Sequence, residues 1–143
     1  MLAATEGALK QGFTDEELQD IANRALDIVT TRTDKGLDFE DKRFQPYSKR
    51  YAKKRAKHGR VTEKVTLLFR GEMMASLTGG PDKGDARLYF SNSTLGQIAN
   101  YHNSLEPRKV IPFRRFLDFG EKSDGYKKLA NMAAQMMASR IEQ

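Results

Sequence analysis

A chain of 143 residues and 16.2 kDa is long enough for one hydrophobic core and too short for two of ordinary size. Its 38% hydrophobic and 31% charged residues lie on the polar side of globular, and the absence of cysteine excludes disulfides and thiolate metal sites. No apolar stretch approaches the roughly 20 residues that span a bilayer, and the opening MLAATEGALKQG has no charged region followed by an apolar one, so neither membrane insertion nor a secretory leader is expected.

The formal charge of +6 is a local feature. Between residues 42 and 60, KRFQPYSKRYAKKRAKHGR, stand Lys42, Arg43, Lys49, Arg50, Lys53, Lys54, Arg55, Lys57 and Arg60 without one Asp or Glu; the remainder of the chain holds 16 basic against 19 acidic residues. A localised positive field points to a partner: a nucleic-acid backbone, an anionic surface or an acidic neighbouring subunit.

Along the chain, Thr14 followed by Glu17 has the spacing of a capping box and predicts a helix over 14–31, with Leu18, Ile21, Ala22, Ala25, Ile28 and Val29 as its apolar stripe. Gly36 ends that region. A basic arm or loop over 37–64 follows, in which Ser48 caps a short helix with Tyr51 and Ala52 on one side and Gly59 at its end. Such a helix is polar nearly all round and has little apolar surface to hold it down. Residues 65–119 read as a small sheet with short helices: an apolar segment at Val65 to Phe69, a brief helix from Gly71, and a hairpin over Leu77 to Ser91 whose tip is rich in glycine. In the hairpin's second strand Ala86, Leu88 and Phe90 alternate with Arg87 and Tyr89. A short helix over Thr94 to Asn103 and a short strand at Val110 and Ile111 complete the region. The final helix, over 122–141, places Leu129, Met132, Ala133, Met136 and Met137 on one face as a packing surface. The expected architecture is a single α+β domain over 1–143, a small antiparallel sheet with N- and C-terminal helices and an extended basic arm.

Enzyme signatures are thin. His58 and His102 are the only histidines, and neither belongs to a metal-ligand spacing or an arranged nucleophile, base and acid. TGGPDKGD lacks the spacing of a phosphate loop and precedes a strand, which makes it a hairpin tip. No catalytic residue, metal or cofactor is expected. The contact candidates are Lys49, Arg50, Lys53, Lys54, Arg55, Lys57 and Arg60 in the basic run, and Tyr101, His102, Phe113, Arg114, Arg115 and Phe116 as interface residues. In PFRRFLDF the phenylalanines are spaced for burial, and the arginines suit bidentate carboxylate pairs.

GLDFEDKRFQPYSKRYAKKRAKHGR, LLFRGEMMASL, a glycine-containing hairpin and IANYHNSLEPRKVIPFRRFLDF follow one another from about Gly36 to Leu117. In that order they resemble the virion morphogenesis and tail-completion proteins of tailed bacteriophages. Pro46, Ser48 and Tyr51 match a Pro-x-Ser-x-x-Tyr element, Leu67, Leu68 and Gly71 a leucine-rich Thr-Gly-x-Leu element, and Tyr101, His102, Pro112, Arg114, Phe116 and Leu117 the closing words. Arg70 stands where a Thr is usual, Met73 where a Leu is usual, and Asn103 to Glu106 where a glycine follows the histidine. The resemblance implies a non-enzymatic virion subunit at the head-to-tail junction, present in the host cytoplasm during assembly. It would form a hexameric or dodecameric ring that touches connector or adaptor proteins and tail or terminator proteins, with non-specific DNA contact in the channel and no membrane. The alternative is a small nucleic-acid-binding protein using residues 42–60 through phosphate contacts.

Overall fold

The computed structural model describes residues 12–60, 72–103 and 116–141, the side chains of 101–103 excepted. The capping box is complete: the Thr14 N–H donates to Glu17 Oε1 at 2.9 Å and the Glu17 N–H to Thr14 Oγ1 at 3.1 Å. Helix α1 (Asp15–Asp34) buries Leu18, Ala22, Ala25 and Val29 and extends beyond the expected Thr31, because Arg32 and Thr33 continue the buried stripe by one turn. It stops at Gly36, whose φ of 78° allows its N–H to donate to the Thr33 carbonyl while the Leu37 N–H reaches the Arg32 carbonyl, both at 2.9 Å.

Next come α2 (Lys49–Lys57) and a single turn α3 (Glu72–Ala75), then β1 (Leu77–Asp82) and β2 (Asp85–Phe90), α4 (Ser93–Asn103) and α5 (Asp124–Ile141). The fold is α+β, with helices at both ends and a two-stranded antiparallel sheet between them. Pairing runs from Leu77 opposite Phe90 to Asp82 opposite Asp85. Lys83 and Gly84 both have positive φ, 50° and 85°, as a two-residue type I′ hairpin turn requires. In β2 the expected alternation holds: Ala86, Leu88 and Phe90 are half-buried, and Arg87 and Tyr89 are exposed. Expected elements at 61–71 and at Val110 and Ile111 lie outside the described residues.

The hairpin lies across α1, and the close approach depends on the missing side chain of Gly79: a Cβ there would come within 2.8 Å of Leu88 Cδ2 and 3.1 Å of Ala22 Cβ. Gln19 Nε2 donates to the Gly79 carbonyl at 2.9 Å and fixes the crossing point. Helix α5 runs antiparallel to α1. At one end Gly125 abuts Ile28, where a Cβ would sit 2.7 Å from Ile28 Cγ2. At the other end Arg140 donates to Glu17 and to the Gly12 carbonyl and lies 5.6 Å from the centre of the Phe13 ring. The face carrying Leu129, Met132, Ala133, Met136 and Met137 is half-buried. The central core is formed elsewhere, by Val29, Phe44, Met73, Met74, Leu77, Ala99 and Phe116. No described helix is long and apolar enough to cross a membrane.

Arg32 joins the end of α1 to the segment before α5. Its side chain is 4% exposed, Nη2 donates to the Phe116 and Asp118 carbonyls, and the guanidinium lies 4.7 Å from the centre of the Phe119 ring. Burial pushes its pKa down, and Asp41, Asp38 and Asp118 oppose that push. The loop after α1 is built around the same place. Asp38 Oδ1 accepts from the Glu40 and Lys42 N–H groups at 2.8 and 3.0 Å, and Asp41, at φ 63°, accepts from the Asp124 N–H at 2.7 Å. One acidic turn thus caps the first turn of α5 from outside, while Ser123 Oγ caps it from within by accepting from the Tyr126 N–H at 3.1 Å.

Two outcomes check this account. Arg32→Ala should lower unfolding free energy by about 3 kcal/mol, and Arg32→Met by nearly as much because the two carbonyls lose their donor; urea unfolding of a fully stable Arg32→Met chain would show that packing alone suffices. Glu17 is held below the usual carboxylate range, first by the Thr14 N–H and then by Arg140. Its folded pKa being depressed, its contribution is full above the unfolded value and fades as pH falls through the folded one. The stability gap between wild type and Glu17→Gln should therefore be present at pH ~7 and shrink by pH ~3.

Candidate cationic interface

The basic run begins with a tie and ends with a helix. Leu37 and Arg43 form an isolated antiparallel bridge, which delivers Phe44 into the core at 6% exposure. Pro46 and Tyr47 then lead to Ser48, whose Oγ accepts from the Tyr51 N–H at 3.2 Å and starts α2. The helix closes at Gly59 with φ 66°: the Arg60 N–H reaches the Arg55 carbonyl at 2.9 Å and the Gly59 N–H the Ala56 carbonyl at 3.0 Å. Both ends of this nine-residue helix are therefore chemically specified, although like charges four apart oppose it by roughly 0.2–0.5 kcal/mol per pair.

At 3.6 residues per turn, Lys49, Lys53 and Lys57 descend one row and Arg50 and Lys54 the next, covering about 140° of the helix circumference. All five are exposed, and none has a carboxylate within ion-pair distance among the described residues. Arg55 projects from the other side and is 1% exposed. Its guanidinium lies 4.6 Å from the centre of the Tyr47 ring, and Tyr47 meets Tyr51 edge-on at 5.2 Å between centroids. The helix is thus held by its one inward cation and an aromatic pair, which substitute for the apolar face it lacks.

This sorts the expected contact residues. Lys49, Arg50, Lys53, Lys54 and Lys57 form one outward stripe, and Arg60 is exposed just beyond it. Arg55 is corrected from a contact residue to an anchor, since an enclosed guanidinium over Tyr47 has no surface to offer a partner. Phe116 is likewise corrected from an interface residue to a core residue: it is fully buried, and Arg32 holds its carbonyl. Tyr101 and His102 belong to the last turn of α4; their side chains lie outside the described residues, as do Phe113, Arg114 and Arg115. Arg32 was not singled out from the sequence, although it falls where the stripe of Leu18, Ala22, Ala25 and Val29 next turns inward.

Little else resembles a reaction centre among the described residues. No group of His, Asp and Glu there could hold a metal ion. His58 is exposed, with Nδ1 2.9 Å from the Lys54 carbonyl. A shallow groove of about 460 Å³ between residues 117–119 and the first turns of α5 is lined by Leu117, Phe119, Tyr126, Leu129 and Ala130, with Asp118 as its charged member. The chain matches no protein-family model, no curated protein and no solved structure among those compared.

Arg55→Ala should cost about 2 kcal/mol and reduce helical circular dichroism, because α2 loses its inward cation. Lys53→Ala should change stability by no more than about 0.5 kcal/mol, and a small gain is expected from relief of the Lys49 and Lys57 charges. Equal losses from both substitutions in thermal unfolding would contradict the division of roles.

Proposed function

We propose that this chain is a structural virion protein of a tailed phage, a tail-completion or neck subunit that forms an oligomeric ring and joins the head connector to the tail. The observation that carries the reading is the unneutralised cationic stripe of α2, held rigidly outward by Arg55, on a chain whose remaining charge is slightly acidic. The order of sequence elements around that stripe supplies the phage context.

Helix α1 supports head-to-tail assembly. Its exposed side carries Glu16, Asp20, Asp27 and Asp34 along one narrow strip, and among these Asp27 is paired, with Arg24 at 3.4 Å. One copy therefore presents a positive helix face and a negative helix face, and the four-residue spacing of Glu16 and Asp20 matches that of Lys53 and Lys57. A contact from α2 of one copy to α1 of the next is heterologous, and such contacts form rings where the rotation between copies closes. Single exposed ion pairs contribute ~0–1 kcal/mol, so the array supplies orientation and rate, and neighbouring subunits must bury apolar surface as well.

Charge reversal tests this. Lys53→Glu with Lys57→Glu should abolish assemblies larger than a dimer in sedimentation, as should Glu16→Lys with Asp20→Lys. Mixing the two reversed proteins should restore oligomers, since each carries the complement of the other. A stripe used for phosphate would behave differently: mixing would restore nothing, and duplex DNA affinity would fall with salt at a log-log slope of about −0.9 per phosphate contacted. Particles assembled without the protein should show unjoined heads and tails, and normal infectious particles would contradict the neck role.

A further inference from the structure

The two edges of the hairpin are built differently. The Ser91 N–H donates to the Ser76 carbonyl at 2.8 Å, which sets the ladder so that Thr78 bonds Tyr89 and Gly80 bonds Arg87. The N–H and C=O groups of Leu77 and Gly79 and the C=O of Pro81 then point away from β2, and the N–H and C=O groups of Ala86, Leu88 and Phe90 away from β1. The β1 edge is blunted. Pro81 has no N–H, and the Gly79 carbonyl is taken by Gln19 at 2.9 Å. On β2 the outward groups of Ala86, Leu88 and Phe90 have no hydrogen-bond partner among the described residues, and no third strand joins the sheet there among those residues.

We propose that the β2 edge is an interaction surface for β2 of a second copy of this chain, paired antiparallel about a two-fold axis at Leu88 to give a four-stranded sheet. The side chains of the edge select that occupant and that register. Pairing Leu88 with Leu88 places Ala86 of each copy opposite Phe90 of the other, a small residue against a large one on the half-buried face. On the exposed face it places Arg87, with 57% of its side chain exposed, opposite Tyr89, which is 55% exposed. Slipping by one pair in either direction opposes Arg87 to Arg87 or Tyr89 to Tyr89, and loses the complement. A slip of one residue turns the wrong backbone groups inward.

Such a contact is isologous and closes at two copies, so it is distinct from the head-to-tail contact of a ring and does not rest on the virion reading. It covers an edge that would otherwise recruit other strands, which is the hazard that Pro81 and Gln19 remove on the opposite side. The packing partners of the hairpin are α1 and α4, so pairing along β2 involves neither Arg55 nor the aromatic pair beneath α2.

Because the chain contains no cysteine, single substitutions can read the register directly. In the proposed pairing residues 87 and 89 form a pair without hydrogen bonds, with Cα atoms about 4.5 Å apart, inside the range a disulfide spans. Under mild oxidation, a mixture of Arg87→Cys and Tyr89→Cys proteins should give disulfide-linked dimers at least about ten-fold faster than either protein alone. Both positions are exposed, so neither change touches the core. Ala86→Pro, which removes an outward N–H and no ladder bond, should convert a dimer to a monomer in sedimentation while helical signal is retained. Faster cross-linking of Arg87→Cys alone would overturn the register. A wild-type chain that stays monomeric at ~100 µM would overturn the proposal, whether the Ala86 and Leu88 amides exchange freely or are protected by another segment of the same chain.

Discussion

A guanidinium sealed inside a small domain is the constraint around which this fold is arranged. Taking a charge out of water costs several kcal/mol, and Arg32 meets that cost with two main-chain carbonyls, an aromatic face and the field of three aspartates. These come from two separate stretches: the segment 116–119 supplies the carbonyls, the ring and Asp118, and the loop 36–44 supplies Asp38 and Asp41. The loop could not swing away without exposing the charge balance, nor the segment without orphaning the donor. Helix α5 inherits its position from both, because Asp41 and Ser123 cap its start. Its far end is tied separately, by Arg140 to Glu17. Nε and Nη1 of Arg32 and Oγ1 of Thr33 have no hydrogen-bond partner among the described residues, so this tie is costly as well as specific.

The basic helix repeats the device on a smaller scale. Arg55 is buried over Tyr47, and because it is the inward cation the five outward ones are left without competition for partners. A helix that lacks an apolar face normally depends on a partner for order. Here a capped start, a glycine end and an aromatic shelf hold it in place before any partner arrives. That preorganisation matters for function, since an already ordered array loses less entropy on docking than a flexible basic tail. It also separates the two signs on one molecule, with acid along α1 and base along α2, which is the polarity that the proposed head-to-tail assembly would use.

What was legible in the sequence follows from how local each signal is. The capping box of Thr14 and Glu17, the Ser48 and Gly59 ends of α2, the hairpin with its alternating second strand, and the half-buried Met132, Met136 and Met137 face all rest on spacings within one element, and all appear in the structure. The α+β class follows from their order. Arg32 and Arg55 were illegible as anchors because nothing in a charge count distinguishes an inward arginine from an outward one; that depends on which residues distant in sequence arrive beside it. Phe116 shows the same limit from the apolar side: its spacing for burial was legible, but that it joins the core and not an interface depends on Val29 and Phe44, far away in the chain. The helical phase of α2 was the available clue, since Arg55 falls opposite the rows of Lys49 and Arg50.

The charge pattern admits a nucleic-acid backbone, an anionic surface or an acidic neighbouring subunit as partner, and the proposed head-to-tail contact takes the last, because each copy of the chain carries the acidic strip of α1. A density map of the head-to-tail junction in an assembled particle tests this most directly. The account predicts a closed ring in which α2 of each subunit lies against α1 of the next, with Lys53 or Lys57 within ion-pair distance of Glu16 or Asp20. A ring with α2 turned to the channel axis and α1 unpartnered, or a junction without this chain, would contradict it.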